Sequence, residues 1–177
     1  MLKQISFLLF FLLIGFSSFS QTTESKPNFI RNQVNVNAFM EYYGNSTQCF
    51  GISGNYGINN WIEAGACFGV FALNIYNDNT KAINYKLNAK AHIVNVFAPS
   101  FYAIDPYLVA RMGGLSVFGD SAPRTMFTYN VGGGIALNFS RHFGLFYELY
   151  YDNTFHKSVK SFGLNIRFNG PKKWRKE

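Results

Sequence analysis

The most regular pattern in this sequence is the alternation of apolar and polar side chains. The stretch that begins at Ile83 reads I-N-Y-K-L-N-A-K-A-H-I-V, in which every second residue is apolar. Successive side chains of an extended chain point to opposite sides, so this pattern predicts a strand with one apolar and one polar face. An inward apolar face would give a soluble barrel or sandwich. An outward apolar face would give a barrel in a lipid bilayer.

Eight segments alternate in this way, separated by clusters of Gly, Asn, Asp, Ser or Pro. Most span about 10 to 13 residues, which suits a tilted strand crossing a bilayer and is long for an ordinary soluble sheet. Helical periodicity is absent. We therefore predict strands at Gln33–Tyr43, Gln48–Ile58, Trp61–Leu73, Ile83–Phe97, Asp105–Phe118, Phe127–Phe139, Phe143–Tyr151 and Ser158–Phe168.

The N-terminus has the pattern of a secretory signal peptide. Lys3 precedes an apolar run from Ile5 to Phe16, and small residues follow around Ser18 and Ser20. This run is shorter than the roughly 20 residues that a transmembrane helix needs, and no later run is long enough, so strands would have to cross any membrane as a closed barrel. The predicted organisation is a signal peptide over 1–20, a periplasmic segment over 21–32, the barrel over 33–168 and a basic periplasmic tail over 169–177.

Composition supports a surface that does not face water everywhere. Charged residues make up 14% of the chain and aromatic residues 19%, whereas a soluble domain has about 25% charged residues. The net charge of +7 comes partly from basic residues after Pro171. We interpret these as a solvated tail and predict no nucleic-acid partner, because no aromatic stacking motif accompanies them.

The charged residues within the strands indicate which face is inward. Where the polar face of a strand carries few charges, its side chains are small, as in Gly51, Ser53, Asn55 and Gly57. Small residues and opposite charges that pair suit a narrow lumen, where an unpaired charge is costly. Extending the alternation places these charged residues on the face opposite the apolar stripes: Glu41, Glu63, Lys86, Lys90, Arg111, Glu148, Lys160 and Arg167. All of them except Lys160 form the predicted lumen charge network.

The apolar faces fit an outward, lipid-facing surface. Phe50, Ile52 and Tyr56 form one stripe, and aromatic residues gather near segment ends, as the interfacial girdles of a membrane barrel require. The alternative is that Tyr and Phe are simply good strand formers.

Two cysteines, Cys49 and Cys67, lie on neighbouring predicted strands. A three-residue loop would pair Gly57 with Trp61 and hence Cys49 with Gly69. The two thiols would then be diagonal neighbours with Cβ atoms about 7–8 Å apart, whereas a disulfide needs about 3.5–4.5 Å. We predict two free, buried thiols; a register in which Cys49 opposes Cys67 would instead allow a disulfide.

Residues 30 to 168 resemble the OmpA/OmpX-type eight-stranded outer-membrane barrels. The similarity lies in D-P-Y-L-V-A-R-M-G-G (105–114), Y-N-V-G-G-G-I-A-L-N-F (129–139), F-G-L-F-Y-E-L-Y-Y (143–151) and S-F-G-L-N-I-R-F (161–168). The resemblance implies an all-β, eight-stranded antiparallel up-and-down transmembrane barrel. It places the chain in the outer membrane of a Gram-negative-type cell, with both termini in the periplasm.

The resemblance also implies partners. They are the outer-membrane lipids and the barrel-insertion machinery, which in this family reads a final aromatic residue, here Phe168. The chain departs from the family pattern by continuing as N-G-P-K-K-W-R-K-E. This tail is too short for a peptidoglycan-binding domain.

The expected function is that of a non-enzymatic outer-membrane barrel with a structural or surface-interaction role. A narrow pore for small solutes is the alternative, because lumen glycines leave some space. A lipid A-modifying enzyme is a distant alternative based on His156 and Ser158. That chemistry needs an acid to orient the histidine, and no Asp or Glu lies between Asp152 and Glu177. In the lipid A-modifying barrels an Asn typically follows the serine, whereas Val159 stands at that position here. The histidines have no metal-ligand spacing, so we predict no metal and no cofactor.

Overall fold

The computed structural model describes residues 30–44, 47–73, 81–93, 103–119, 123–140 and 142–169. The predicted signal peptide, most of the segment over 21–32 and the tail after Asn169 lie outside these ranges. Within them, no helix is both long and apolar enough to cross a membrane.

The described residues form one closed antiparallel barrel. Each strand pairs with the next one in the chain, and the last pairs with the first. The predicted eight-stranded up-and-down barrel is therefore confirmed. The strands are β1 (Gln33–Tyr42), β2 (Thr47–Gly57), β3 (Ile62–Leu73), β4 (Lys81–His92), β5 (Ile104–Phe118), β6 (Arg124–Asn138), β7 (Phe143–Asp152) and β8 (Lys157–Asn169).

Two strand boundaries differ clearly from the predicted ones. β4 ends at His92 rather than Phe97, and residues 94–100 lie outside the described ranges. β6 begins at Arg124 rather than Phe127, because its ladder with β5 continues to the pair Val117 and Arg124. The first residues of β6 are exposed on both faces. Apolar and polar side chains therefore need not alternate there, and the sequence gives no strand pattern.

Small residues facing large ones fill the barrel interior. A Cβ atom at Gly134 would lie 2.8 Å from Tyr107 Cζ and 2.7 Å from Glu148 Cγ. A Cβ atom at Gly163 would lie 2.9 Å from Phe146 Cε1. These glycines leave room for aromatic rings in an interior that, with eight strands, is just wide enough for side chains.

An apolar cluster closes one end of the interior. We call this end the loop end, because β7 and β8 are joined there by residues 153–156, and the opposite end, where the chain enters at Ile30, the termini end. Tyr43 packs with its ring centroid 5.0 Å from those of both Phe71 and Phe155. We call the cluster the apolar plug: Tyr43, Cys49, Phe71, Ala82, Leu115, Tyr150 and Val159, with Val117 and Phe155 packed against it.

The register between β2 and β3 differs from the predicted one by two residues. Gly57 pairs with Glu63, and Cys49 pairs with Phe71 rather than Gly69. The reason lies in the turn. Asn59 Oδ1 accepts hydrogen bonds from the backbone N–H groups of Trp61, at 2.9 Å, and Ile62, at 2.8 Å. This side-chain cap stabilises a longer turn than the predicted three residues.

Both cysteines are nevertheless free and buried, as predicted. The residue of β2 that pairs with Cys67 is Ser53, and Cys49 lies four positions away from Ser53 on β2. The two cysteines are therefore not opposite each other. We expect thiol counting to find two reactive groups in denaturant without reductant, and almost no reaction in the folded protein because both thiols are buried. Fewer than two thiols in denaturant would contradict this register.

Candidate functional site: the charged interior and the apolar outer face

A cluster of charged side chains crosses the middle of the interior. Arg111 of β5 reaches Glu41 of β1, with Nη1 and Oε1 3.0 Å apart, and its other terminal nitrogen binds Glu148 of β7. Glu148 also pairs with Lys90, whose Nζ lies 2.9 Å from Oε1. Tyr107 donates its hydroxyl hydrogen to the same oxygen at 2.8 Å. This central cluster links four strands through one buried arginine and one fully buried glutamate.

A second cluster lies nearer the loop end. Lys86 donates to Asn130 Oδ1 at 2.6 Å and pairs with Asp152 Oδ2 at 3.5 Å. Asn130 Nδ2 donates to the same Asp152 oxygen at 2.6 Å. A lysine, an amide and a carboxylate from three strands therefore satisfy one another beneath the apolar plug.

A third cluster lies nearer the termini end. His92 Nδ1 is 2.7 Å from Asp105 Oδ2, and its Nε2 is 3.5 Å from Glu63 Oε1. Asn35 donates its amide hydrogen to Glu63. All four side chains are buried, so the imidazole joins two carboxylates from neighbouring strands.

Six of the seven residues assigned to the lumen network lie in these clusters. The exception is Arg167, which is buried on the inward face of β8 but forms no ion pair within the described part of the chain. Sequence reasoning missed the acidic partners Asp105 and Asp152. The alternation contained the signal, because Asp105 is an even number of residues from Arg111, and Asp152 is an even number of residues from Glu148. Residues with such spacing share a face of the strand. The predicted β7, however, ended one residue before Asp152.

Lys160 is a correction. The alternation was expected to place this lysine on the polar face with Arg167, but its side chain is exposed on the outer face. Alternation along β8 is unbroken, with Val159, Ser161, Asn165 and Arg167 all buried. Lys160 and Arg167 are an odd number of residues apart, so they must lie on opposite faces.

The outer face of the described barrel is mostly apolar, with Lys160 as an exception. Outward side chains in mid-strand are highly exposed, as with Leu87 at 66% and Ile52 at 61%. Every acidic side chain in the described ranges is instead buried in the interior: Glu41, Glu63, Asp105, Glu148 and Asp152. Soluble monomers rarely expose contiguous apolar patches above a few hundred Å². This outer face is therefore unsuited to water.

Within the described part of the chain, no hydrogen bond joins His156 and Ser158, the candidate catalytic pair. His156 Nδ1 lies 3.1 Å from the hydroxyl oxygen of Tyr151. Ser158 is the second residue of β8, lies opposite Tyr151 in the ladder and is exposed. Among the described residues, no group of three or more His, Cys, Asp or Glu side chains is placed to hold a metal ion.

Comparisons with known proteins give a fold and no sequence family. No family model matches the chain, and no curated protein sequence matches it. Solved structures do match. The N-terminal β-barrel domain of Pseudomonas aeruginosa OprF is 19% identical with a TM-score of 0.63, over 78% of this chain and 98% of that one.

Two further structures agree. Neisserial surface protein A (NspA) is 15% identical with a TM-score of 0.56, over 77% of this chain and 94% of that one. A de novo designed transmembrane β-barrel is 10% identical with a TM-score of 0.55, over 78% of this chain and 97% of that one. The chain therefore has the fold of the small transmembrane β-barrels, as the sequence resemblance implied.

Proposed function

We propose that this protein is a non-enzymatic integral outer-membrane β-barrel with a structural or surface-interaction role. The observation that carries the proposal is the separation of side chains across the barrel wall. Apolar side chains cover the outer face, while every described carboxylate lies inside. A bilayer would cover the outer face, and the paired charges would remain in the interior away from lipid.

The compartment and orientation belong to the same proposal. The predicted signal peptide over 1–20 would export the chain, and both termini would lie in the periplasm. Phe168, outward and exposed near the end of β8, is the residue we assign to recognition by the insertion machinery. The other partners are the outer-membrane lipids.

Cell fractionation tests this proposal. We expect the full chain to be found with outer membranes, and the folded form to migrate differently in SDS before and after boiling, because a closed barrel resists unfolding by the detergent. Recovery in the soluble periplasmic fraction, with identical migration before and after boiling, would contradict it.

A narrow pore is the second candidate. Asn55 and Asn88 have buried side-chain amides without a hydrogen-bond partner among the described residues, and such groups are commonly satisfied by water. A continuous aqueous path would still have to pass the central ion cluster and the apolar plug. The filled interior favours the structural role over conduction.

Conductance in planar bilayers separates these two functions. We expect no steady current from the wild-type protein, because the side chains of the apolar plug exclude a water-filled path at the loop end. A known porin in the same bilayers provides the positive control. Steady single-channel currents that scale with the amount of inserted protein would favour the pore.

The enzyme alternative rests on His156 and Ser158 alone. A nucleophilic serine needs a base within hydrogen-bond reach that is itself oriented by a third group. Among the described residues no hydrogen bond joins His156 to Ser158, and the group at His156 Nδ1 is the Tyr151 hydroxyl rather than a carboxylate. Both observations support the non-enzymatic role. The variant Ser158→Ala is expected to leave the lipid A profile of expressing cells unchanged.

A further inference from the structure

Lys160 is an unusual residue on this barrel surface. Along the described strands, the outward-facing charged side chains are Lys160 and Lys81. Lys81 is the first residue of β4, at the rim, whereas Lys160 is the fourth residue of β8. Lys160 lies between Tyr42 of β1 and Leu149 of β7 in the ladders. A lysine within an apolar stripe is costly in lipid unless its ammonium group reaches the polar interface or an anion.

A groove lies next to Lys160 on the same outer face. Phe162, two residues further along β8, begins this groove, and its ring stacks on that of Tyr42 with centroids 5.7 Å apart. The groove has a volume of about 470 Å³. The small side chain of Ala38, opposite Leu164 in the ladder, helps to form it. Its outward lining is apolar: Ala38, Met40, Phe50, Leu145, Phe162 and Leu164.

Charge complementarity indicates what would lie against Lys160. Every described carboxylate is buried in the interior, so no described acid is available to pair with this lysine on the outer face. Further cations, Lys81, Arg124 and Lys157, are exposed at the same end of the barrel. The described side chains at this rim therefore carry positive charge and favour an anionic partner.

We propose that the outer face of β7, β8 and β1 is a binding site for one anionic phosphate-bearing lipid of the surrounding membrane. An acyl chain lies in the groove, and the phosphate of the headgroup accepts hydrogen bonds from the Lys160 ammonium group. The site rests on the proposed membrane location. It accounts for two features together, the single cation within an apolar stripe and the apolar depression beside it.

Native mass spectrometry of the folded full chain in a non-ionic detergent tests this site. Phosphatidylglycerol and phosphatidylcholine with identical acyl chains are the two probes. We expect the wild-type protein to retain phosphatidylglycerol about tenfold more than phosphatidylcholine, the ratio that one charge-assisted contact supplies. Lys160→Gln should abolish this preference, whereas Lys160→Arg should keep it.

Two variants separate the groove from the general charge of the rim. Ala38→Phe fills the groove and should lower the retention of both lipids. Lys81→Gln removes a rim cation away from the groove and should leave the preference for phosphatidylglycerol unchanged. Equal retention of both lipids by the wild type, or equal effects of Lys81→Gln and Lys160→Gln, would overturn the site. So would a stable dimer in which Ala38→Phe disrupts association, because a second copy would then occupy the groove.

The heat-dependent SDS migration of each variant is measured in parallel. A wild-type protein that migrates as a folded barrel but shows no lipid preference lacks this site and leaves the proposed function intact. A protein that never adopts the folded form contradicts the proposed function itself.

Discussion

Replacing Arg111 with methionine is expected to lower the free energy of unfolding by about 3–5 kcal/mol, the cost of removing one partner from a buried ion cluster. Arg111 binds both Glu41 and Glu148 in the middle of the interior. Methionine fills similar space without charge, so Glu41 would lose its ionic partner. Urea unfolding of the protein refolded into lipid vesicles measures the change.

Two comparisons show that the loss comes from the unpaired carboxylate. Adding Glu41→Gln to Arg111→Met should recover part of the stability, because Glu148 keeps its ion pair with Lys90. The rim variant Arg124→Met removes an exposed arginine and should change stability by less than about 1 kcal/mol. Similar effects for Arg111→Met and Arg124→Met would mean that the central cluster contributes little.

The second large effect is expected on the outer face. Leu87→Arg should destabilise the barrel in lipid by about 2–4 kcal/mol, the cost of an arginine near the bilayer midplane. Leu87 is the seventh of the 12 residues of β4 and points outward, exposed by 66%. The measurement is again unfolding from vesicles.

Matched variants on the same strand provide the controls. Ile83→Arg places the same charge on the same face near the loop end, where the cost falls to about 0–1 kcal/mol. Leu87→Met tests the loss of shape without charge and should have a small effect. Equal destabilisation by the two arginine variants would contradict the depth assigned to these positions.

Alternation predicted much of this architecture because a barrel wall has only two faces. Parity alone placed Glu41, Arg111 and Glu148 on one face, and the structure brings these three side chains together. Parity fixes the face of a residue but not its height in the barrel. Height depends on the register of every hairpin, so the particular partners of each acid and base were not predictable.

The two errors have local physical causes. The register of Cys49 depended on the turn after Gly57, where the capping side chain of Asn59 adds two residues to the unpaired loop. The prediction grouped Lys160 with Arg167, although two strand residues separated by an odd number of positions lie on opposite faces. Polar residues at strand ends, such as Arg124, lie beyond the apolar belt, so the alternation there no longer marks a strand.

Fluorescence quenching by lipids brominated on their acyl chains tests whether the apolar face of the barrel contacts lipid. Phe146 is buried in the interior, and its neighbour Tyr147 is exposed on the outer face. Each is replaced by tryptophan in a background carrying Trp61→Phe and Trp174→Phe. We expect strong quenching of the tryptophan at 147 and little at 146. Equal quenching of both, or stronger quenching at 146, would contradict it.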